Sequence, residues 1–468
     1  MYGDFSRMTF SRRRQYSSVW AQQGRVQLDA DINEQAAILL DYMRTLALDF
    51  IGPFGGPVER AGFRIDLEPG SDLDRKSADL RIGPGHYYVY GMRCEAARNG
   101  AGWPGQPLSW RHQPRGPQER GEVPEPPFIA YLRVWEESVS SVQDPSLLEP
   151  ALGLNPPDTT ARSQVAWELV ASDMLPGRRG KRLTGHERRQ ELIDLFAAHD
   201  ANPGPAGLLR ARATTPADAE DHPSAVAAPS RYRGASSQLY RVEIHTGGPA
   251  GTATFKWSRE NGAVVFALES LAGNQAVVTS LGRDARTGLE ISDWVEIVDD
   301  RWVPDGDPGP LLQVADIDHV GRQVTLEGGP IPAEYLDSPL HPFLRRWDQH
   351  PAGRSRAPDN AELVPESTDD HAAWLSLEEG VHVEFPAGDG PHHFRRGDYW
   401  QIPARAATGD VIWPSRDGHP AAIPPLGPAR YLAPLALVTS LDHRKVVDLR
   451  SRFVWLAWPD EDEDTESD

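Results

Sequence analysis

The sequence predicts a mainly β, multidomain protein built of small barrel or sandwich modules and led by one N-terminal amphipathic helix. Three observations carry that expectation. With 468 residues the chain exceeds what one hydrophobic core usually holds. Glycine and proline, at 42 each, punctuate it into short segments. Between them, apolar, β-branched and aromatic residues alternate or run in stretches of strand length.

The helix comes first. From Gln27 to Ile51 apolar side chains recur at Ile32, Ala36, Leu39, Met43, Leu46 and Phe50, a spacing of four and three that lines them on one stripe. Asp31 with Glu34 resembles a capping box, and Gly52-Pro53 is a stop signal. Burial of the stripe against the protein's own β modules is the commoner fate of such a helix and is the expectation here, helped by Leu40 and Leu48, which widen the face. Pairing with the same helix of another copy is the alternative, although three heptads are short for a coiled coil.

Residues 1–60 thus form an arm and helix, and residues 61–175 a first β domain. In the latter, "GFRIDL", "ADLRIGPGHYYVYGMRCEA" and "FIAYLRVWEESVS" read as strands and "SQVAWELVAS" as the last one. Both faces of "FIAYLRVWEE" carry large apolar residues, which predicts that both are covered. Residues 176–235 are polar and proline-rich, with a short helical piece from Arg188 to Ala198, and read as a linker. Strands resume across a second β domain at 236–345, where Asn261-Gly262 is a strong hairpin signal. A third β-rich region at 346–456 either completes that domain or stands alone. The acidic run 457–468 is expected to stay solvated and disordered.

Composition narrows the function classes. Lys plus Arg at 48 against Asp plus Glu at 68 gives a net charge of -20, which disfavours nucleic acid as the main ligand. Cys94 is the only cysteine, so an intrachain disulfide and a cysteine zinc site are both excluded; a small buried hydrophobe is its expected role. No stretch approaches the roughly 20 apolar residues that span a bilayer. The expected location is the cytoplasm, with release as part of a particle as the other route.

No GxGxxG or GxxxxGK[ST] lies in usable context, and neither a GxSxG elbow nor HExxH occurs. The expectation is therefore a protein that is not an enzyme and needs no cofactor. His382, His392 and His393, near Glu384 and Asp398, are weak metal candidates, because adjacent strand side chains point to opposite faces. Fourteen tryptophans could stack on sugars, but Trp257, Trp294 and Trp400 lie in alternating strands where packing is the expected role.

The candidate binding residues lie in the arm. Arg7, Arg12, Arg13, Arg14 and Arg25 are interleaved with Phe5, Phe10, Tyr16 and Trp20, a composition suited to gripping an acidic, partly apolar protein surface. The partners expected are other protein subunits or further copies of this chain.

Several blocks carry a resemblance: "GDFSRMTF", "QQGRVQLDADINEQ", "IGPFGGP", "IGPGHYYVYGMRCE", "LYRVEIHTGG", "TATFKWSRENGAVV", "DYWQIPARAATGDVIWP" and "YLAPLALV". They run over nearly the whole chain, which resembles uncharacterised bacterial proteins with an N-terminal GDFSR motif. Ile32 stands where that family suggests tryptophan and Tyr90 where it suggests aspartate. Such proteins are often encoded with contractile injection systems, phage-tail-like particles. The resemblance therefore implies a non-catalytic structural or accessory component of a baseplate, cage or tail. The family has no established catalytic residues to carry over. A carbohydrate or cell-surface binding module, and a hydrolase with a carboxylate or histidine site, are the alternative readings.

Overall fold

A computed structural model describes residues 1–70, 74–96, 108–117, 120–153, 156–174, 182–183, 187–198, 206–214, 231–284, 286–336, 340–349, 357–367, 373–387, 393–442 and 445–454. The protein is mainly β, with two α-helices among the described residues, α1 (Asp29–Ile51) and α2 (Arg189–Ala197). It divides into two units, each assembled from segments far apart in sequence.

The first unit comprises Met1–Ile38, Glu136–Gln164 and Asn202–Ala429. Its centre is a five-stranded sheet in the order Glu362–Leu363, Thr254–Ser258, Ser237–Ile244, Tyr399–Arg405, Asp410–Val411. Tyr240, Val242, Ile244, Phe255, Trp257, Trp400 and Ile402 project from one face of this sheet into a shared core. A three-stranded sheet of Leu375–Ser376, Val381–Glu384 and Arg210–Ala213 contributes Ala211, Val381 and Val383 to the same core. Six further strands close a barrel in the order Val265–Ala272, Gln275–Val278, Gln323–Glu327, Leu311–Asp318, Trp294–Val298, Phe343–Trp347. The barrel is filled by alternate residues such as Phe266, Val295, Ile297, Val314, Leu326 and Leu344.

The second unit comprises Leu39–Trp135, Val165–Ala201 and Arg430–Asp468. One of its sheets runs Val446–Asp448, Tyr431–Val438, Phe128–Val139, Arg162–Ser172, and another runs Arg452–Phe453, Phe54–Pro57, Gly85–Val89, Met92–Ala96. Phe128 to Leu132 are all buried, as expected for a strand covered on both faces. Leu192 and Phe196 of α2 join this core, Phe196 against the Tyr131 ring at 5.4 Å. Cys94 lies in the same core, where burial pushes its thiol above the ordinary value. The helical piece expected from Arg188 to Ala198 is α2.

Three expectations need correction or refinement. Region 346–456 does not stand alone: Tyr399–Arg405 pairs with Ser237–Ile244, and Tyr431–Val438 pairs with Phe128–Val139. The supposed linker 176–235, much of which lies outside the described residues, contains a strand, Arg210–Ala213, paired with Val381–Glu384. Asn261-Gly262 does not join a hairpin. The strand before it pairs within the five-stranded sheet and the strand after it enters the barrel, so this turn hands the chain from one to the other. The acidic run 457–468 lies outside the described residues.

Candidate docking surface

Strand alternation builds the anchor of the arm. On Ser237–Ile244 the apolar residues face the sheet core, so Arg241 and Glu243 face the other way, and the pairing Lys256↔Glu243 adds Lys256 to the same side. Glu296 and Arg345, paired across two barrel strands, point outward from the barrel. All five side chains are buried in a seam where the sheet meets the barrel.

The charges in this seam satisfy one another. Arg241 donates to Glu243 at 2.6 Å, while the Lys256 ammonium bonds Glu296 and lies 3.5 Å from Glu243. Trp347 donates its indole N–H to Glu296 at 3.1 Å and offers its ring to Lys256 at 4.4 Å. Burial opposes ionisation of both carboxyls. Arg241 and Lys256 nevertheless hold Glu243 below its ordinary value, and Lys256 with Arg396 does the same for Glu296. Burial and the Lys256 charge push His245 well below its ordinary value, so this imidazole is neutral.

Into this seam the arm inserts Tyr2. Its hydroxyl donates to the Glu243 carboxylate, 2.8 and 2.9 Å from the two oxygens, and its ring is sandwiched between the guanidinium carbons of Arg345 at 3.5 Å and Arg241 at 4.0 Å. Asn261, fully buried, donates its side-chain amide to the carbonyls of Met1 and Gly3. At Gly262 the backbone is left-handed, with φ at +66°, and a Cβ there would come within 2.7 Å of the Tyr2 ring. The Asn-Gly dipeptide is thus the receptor of the arm.

The arm then runs beside the start of α1. The Ser6 amide donates to Asp29 at 2.8 Å, the Thr9 hydroxyl to Glu34 at 2.8 Å and the Val19 amide to Gln35 at 2.7 Å. Asp29 and Glu34 therefore hold the arm, and the helix begins two residues before the Asp31 expected from the capping pattern. It ends at Ile51, where Gly52-Pro53 signalled.

The stripe on α1 is not buried, contrary to expectation. Ile32 is 62% exposed, Leu39 54%, Met43 66% and Phe50 70%, while Ala36 and Leu46 are exposed as well. The better covered positions include Ala30, Glu34, Ala37, Ile38, Asp41 and Arg44, a second stripe of mostly small and polar residues in which Ile38 is the one large apolar side chain. Close approach explains the choice. The Arg44 backbone lies where a Cβ on Gly91, itself at φ +75°, would meet it at 2.6 Å, so small contacts hold the helix and large side chains are left outside.

The arm residues picked out in the sequence fall into two sets. Phe5, Arg7 and Phe10 are half-buried and belong to the anchored portion. Arg12, Arg13 and Arg14, which form a single 3-10 turn, are exposed together with Tyr16, Trp20 and Arg25; Trp20 is 84% exposed. Tyr2, the receptor role of Asn261 and the seam charges escaped the sequence reading. Alternating charge in "YRVEIHTGG" suggests a strand with one solvated face, and the barrel that covers it is encoded elsewhere.

The other candidates disperse. His382 bonds Thr214 and the Gly380 carbonyl at 3.0 Å each, His393 is exposed, and His392 lies outside the described residues. Glu384 pairs with Arg210, and Asp398 with Arg395. No group of three metal-ligating side chains forms among the described residues. Trp257, Trp294 and Trp400 are buried, in line with packing. A cavity of about 60 Å³ beside Tyr2, Arg241, Glu296 and Arg345 has room for a few waters, well below a substrate-sized pocket. Among the described residues no helix is long and apolar enough to cross a membrane.

A family model described as "Family of unknown function (DUF6519)" matches residues 1–184 and 182–447. The chain belongs to this family. No curated protein and no solved structure matches it. The family match spans the arm, α1 and both units, so the clamp of Tyr2 in the seam and the outward stripe lie within the family's matched region.

Proposed function

We propose that the chain is a non-catalytic structural or accessory subunit of a phage-tail-like contractile injection particle, in its baseplate, cage or tail, and that it docks on other protein subunits through its arm and α1. The outward apolar stripe of α1 carries this reading. Large exposed apolar patches on water-soluble surfaces mark interaction sites, and the arm adds exposed Tyr16 and Trp20 with exposed Arg12, Arg13, Arg14 and Arg25 close to them in sequence. The resemblance to GDFSR proteins supplies the particle. In this reading the protein is made in the cytoplasm and leaves it only within the assembly.

The test is mass spectrometry of particles purified from the native host, repeated with the variant Tyr16→Ala/Trp20→Ala. The expected result is the wild-type chain at a fixed ratio to the other subunits and loss of the variant from the particle. Absence of the wild-type chain from intact particles overturns the assignment.

A further inference from the structure

We propose that Arg212, stacked on Trp374, is the centre of a site for a carboxylate-bearing ligand on the outer face of the three-stranded sheet. The site does not depend on the docking role above.

Strand alternation builds it. Ala211, Ala213, Val381 and Val383 point into the core, so Arg210, Arg212, His382 and Glu384 face outward, with Arg212 paired to His382 and Arg210 to Glu384. The Arg212 guanidinium carbon lies 3.9 Å from the centre of the Trp374 ring. Among the described residues two other arginines stack as closely on a ring, Arg345 and Arg241, and both donate within the protein, to the Gly262 carbonyl at 2.8 Å and to Glu243 at 2.6 Å. Arg212 makes no hydrogen bond or ion pair among the described residues.

Stacking holds a guanidinium by its faces and leaves its in-plane N–H groups for an acceptor. The Arg212 Nε is buried without a partner, so the open edge is the fork of the two Nη nitrogens, which matches the two oxygens of a carboxylate. Charge points the same way. Glu384, buried, lies 3.5 Å from Arg210 and balances it, while His382 donates its Nδ1–H to the Gly380 carbonyl at 3.0 Å and adds no negative charge. One positive charge is left over, at Arg212, and it suits a monoanion. A phosphate dianion would bring its second charge beside Glu384.

The test is a titration of the full chain carrying fluorine-labelled tryptophan, read at the Trp374 resonance, which Trp374→Phe assigns. With ionic strength held constant by sodium chloride, sodium acetate and sodium D-glucuronate are each expected to shift that resonance saturably, with half-saturation in the millimolar range. Arg212→Lys keeps the charge without the fork and should weaken both at least fivefold; Arg212→Gln should weaken them at least tenfold. Glu384→Gln guards against misfolding, because it should tighten inorganic phosphate at least threefold, a gain that an unfolded chain does not give. Tighter binding of D-glucuronate than of acetate supports a sugar acid as the source of the carboxylate, and equal binding supports a simple organic acid. A shift that stays linear in every titrant, or that is unchanged in Arg212→Gln, overturns the proposal.

Discussion

Two regions of the molecule invert the usual placement of residues, and they do so in opposite senses. In the seam between sheet and barrel, five charged side chains are buried; along α1, a full apolar stripe is exposed. The seam completes itself. Arg241, Lys256, Glu243 and Glu296 find one another, and Tyr2 fills the remaining place between Arg241 and Arg345. Among the described residues the stripe finds nothing comparable, and the helix is covered at Ala30, Ala37, Ile38 and Arg44 instead. A buried charge cannot wait for a partner, since its desolvation opposes folding itself. An exposed leucine can, which is why the inversion closed internally is the polar one.

The contrast gives a graded set of expectations. Lys256→Met should have the largest effect, because it leaves Glu243 and Glu296 buried with fewer partners; a loss of about 3–5 kcal/mol is expected by urea denaturation. An unchanged midpoint would mean that the seam charges do not depend on one another. Tyr2→Phe removes only the hydroxyl donated to Glu243 and should cost about 1–3 kcal/mol, read as a lower melting temperature and faster proteolysis of the arm. Loss of arm protection without loss of stability would show that Tyr2 is a latch and no part of the core.

Acidity sharpens the same comparison. Glu378 is half-buried, 2.8 Å from Arg259, yet its loss of solvent outweighs that guanidinium and raises its carboxyl to about 7. A carboxyl raised on folding binds more protons in the native state, so its contribution to stability falls as pH climbs from its unfolded value near 4.5 to about 7. Glu243 has the opposite sign: its depressed value contributes above the unfolded value and is lost as pH falls through the folded one. Glu378→Gln should therefore raise the melting temperature at pH 8 more than at pH 5. An equal rise at both would assign the effect to packing. The smallest expected change is at the stripe, where Met43→Glu should alter monomer stability by no more than about 0.5 kcal/mol. A larger loss would mean that Met43 is packed within its own chain.

The sequence made the class, the strands and the extent of α1 legible, because those depend on local periodicity and on stops such as Gly52-Pro53. It also gave the stripe, but not the direction in which the stripe faces. That depends on Gly91, more than forty residues beyond Arg44 and without a side chain to keep the helix away. The arm reads as one set of binding residues for a similar reason. Phe5 and Phe10 look like Tyr16 and Trp20 in composition, and only the folded chain shows the first pair lying where Asn261 holds Met1 and Gly3, Asp29 holds Ser6 and Glu34 holds Thr9. Asn261-Gly262 itself was read for its turn preference, while in the fold its side chain is what matters.

The clamp on Tyr2 also orders events in time. Its contacts come from Arg241, Glu243 and Arg345, Asn261 holds Met1 and Gly3 on either side, and Arg405 closes on the Ser6 carbonyl at 2.7 Å. A ribosome adding roughly 5–20 residues per second needs tens of seconds to deliver all of these after Tyr2 has emerged. Helix α1, whose hydrogen bonds are local, forms in about a microsecond once it is clear of the ribosome. Throughout synthesis the arm is therefore still loose, and its seam closes only when the chain is nearly complete.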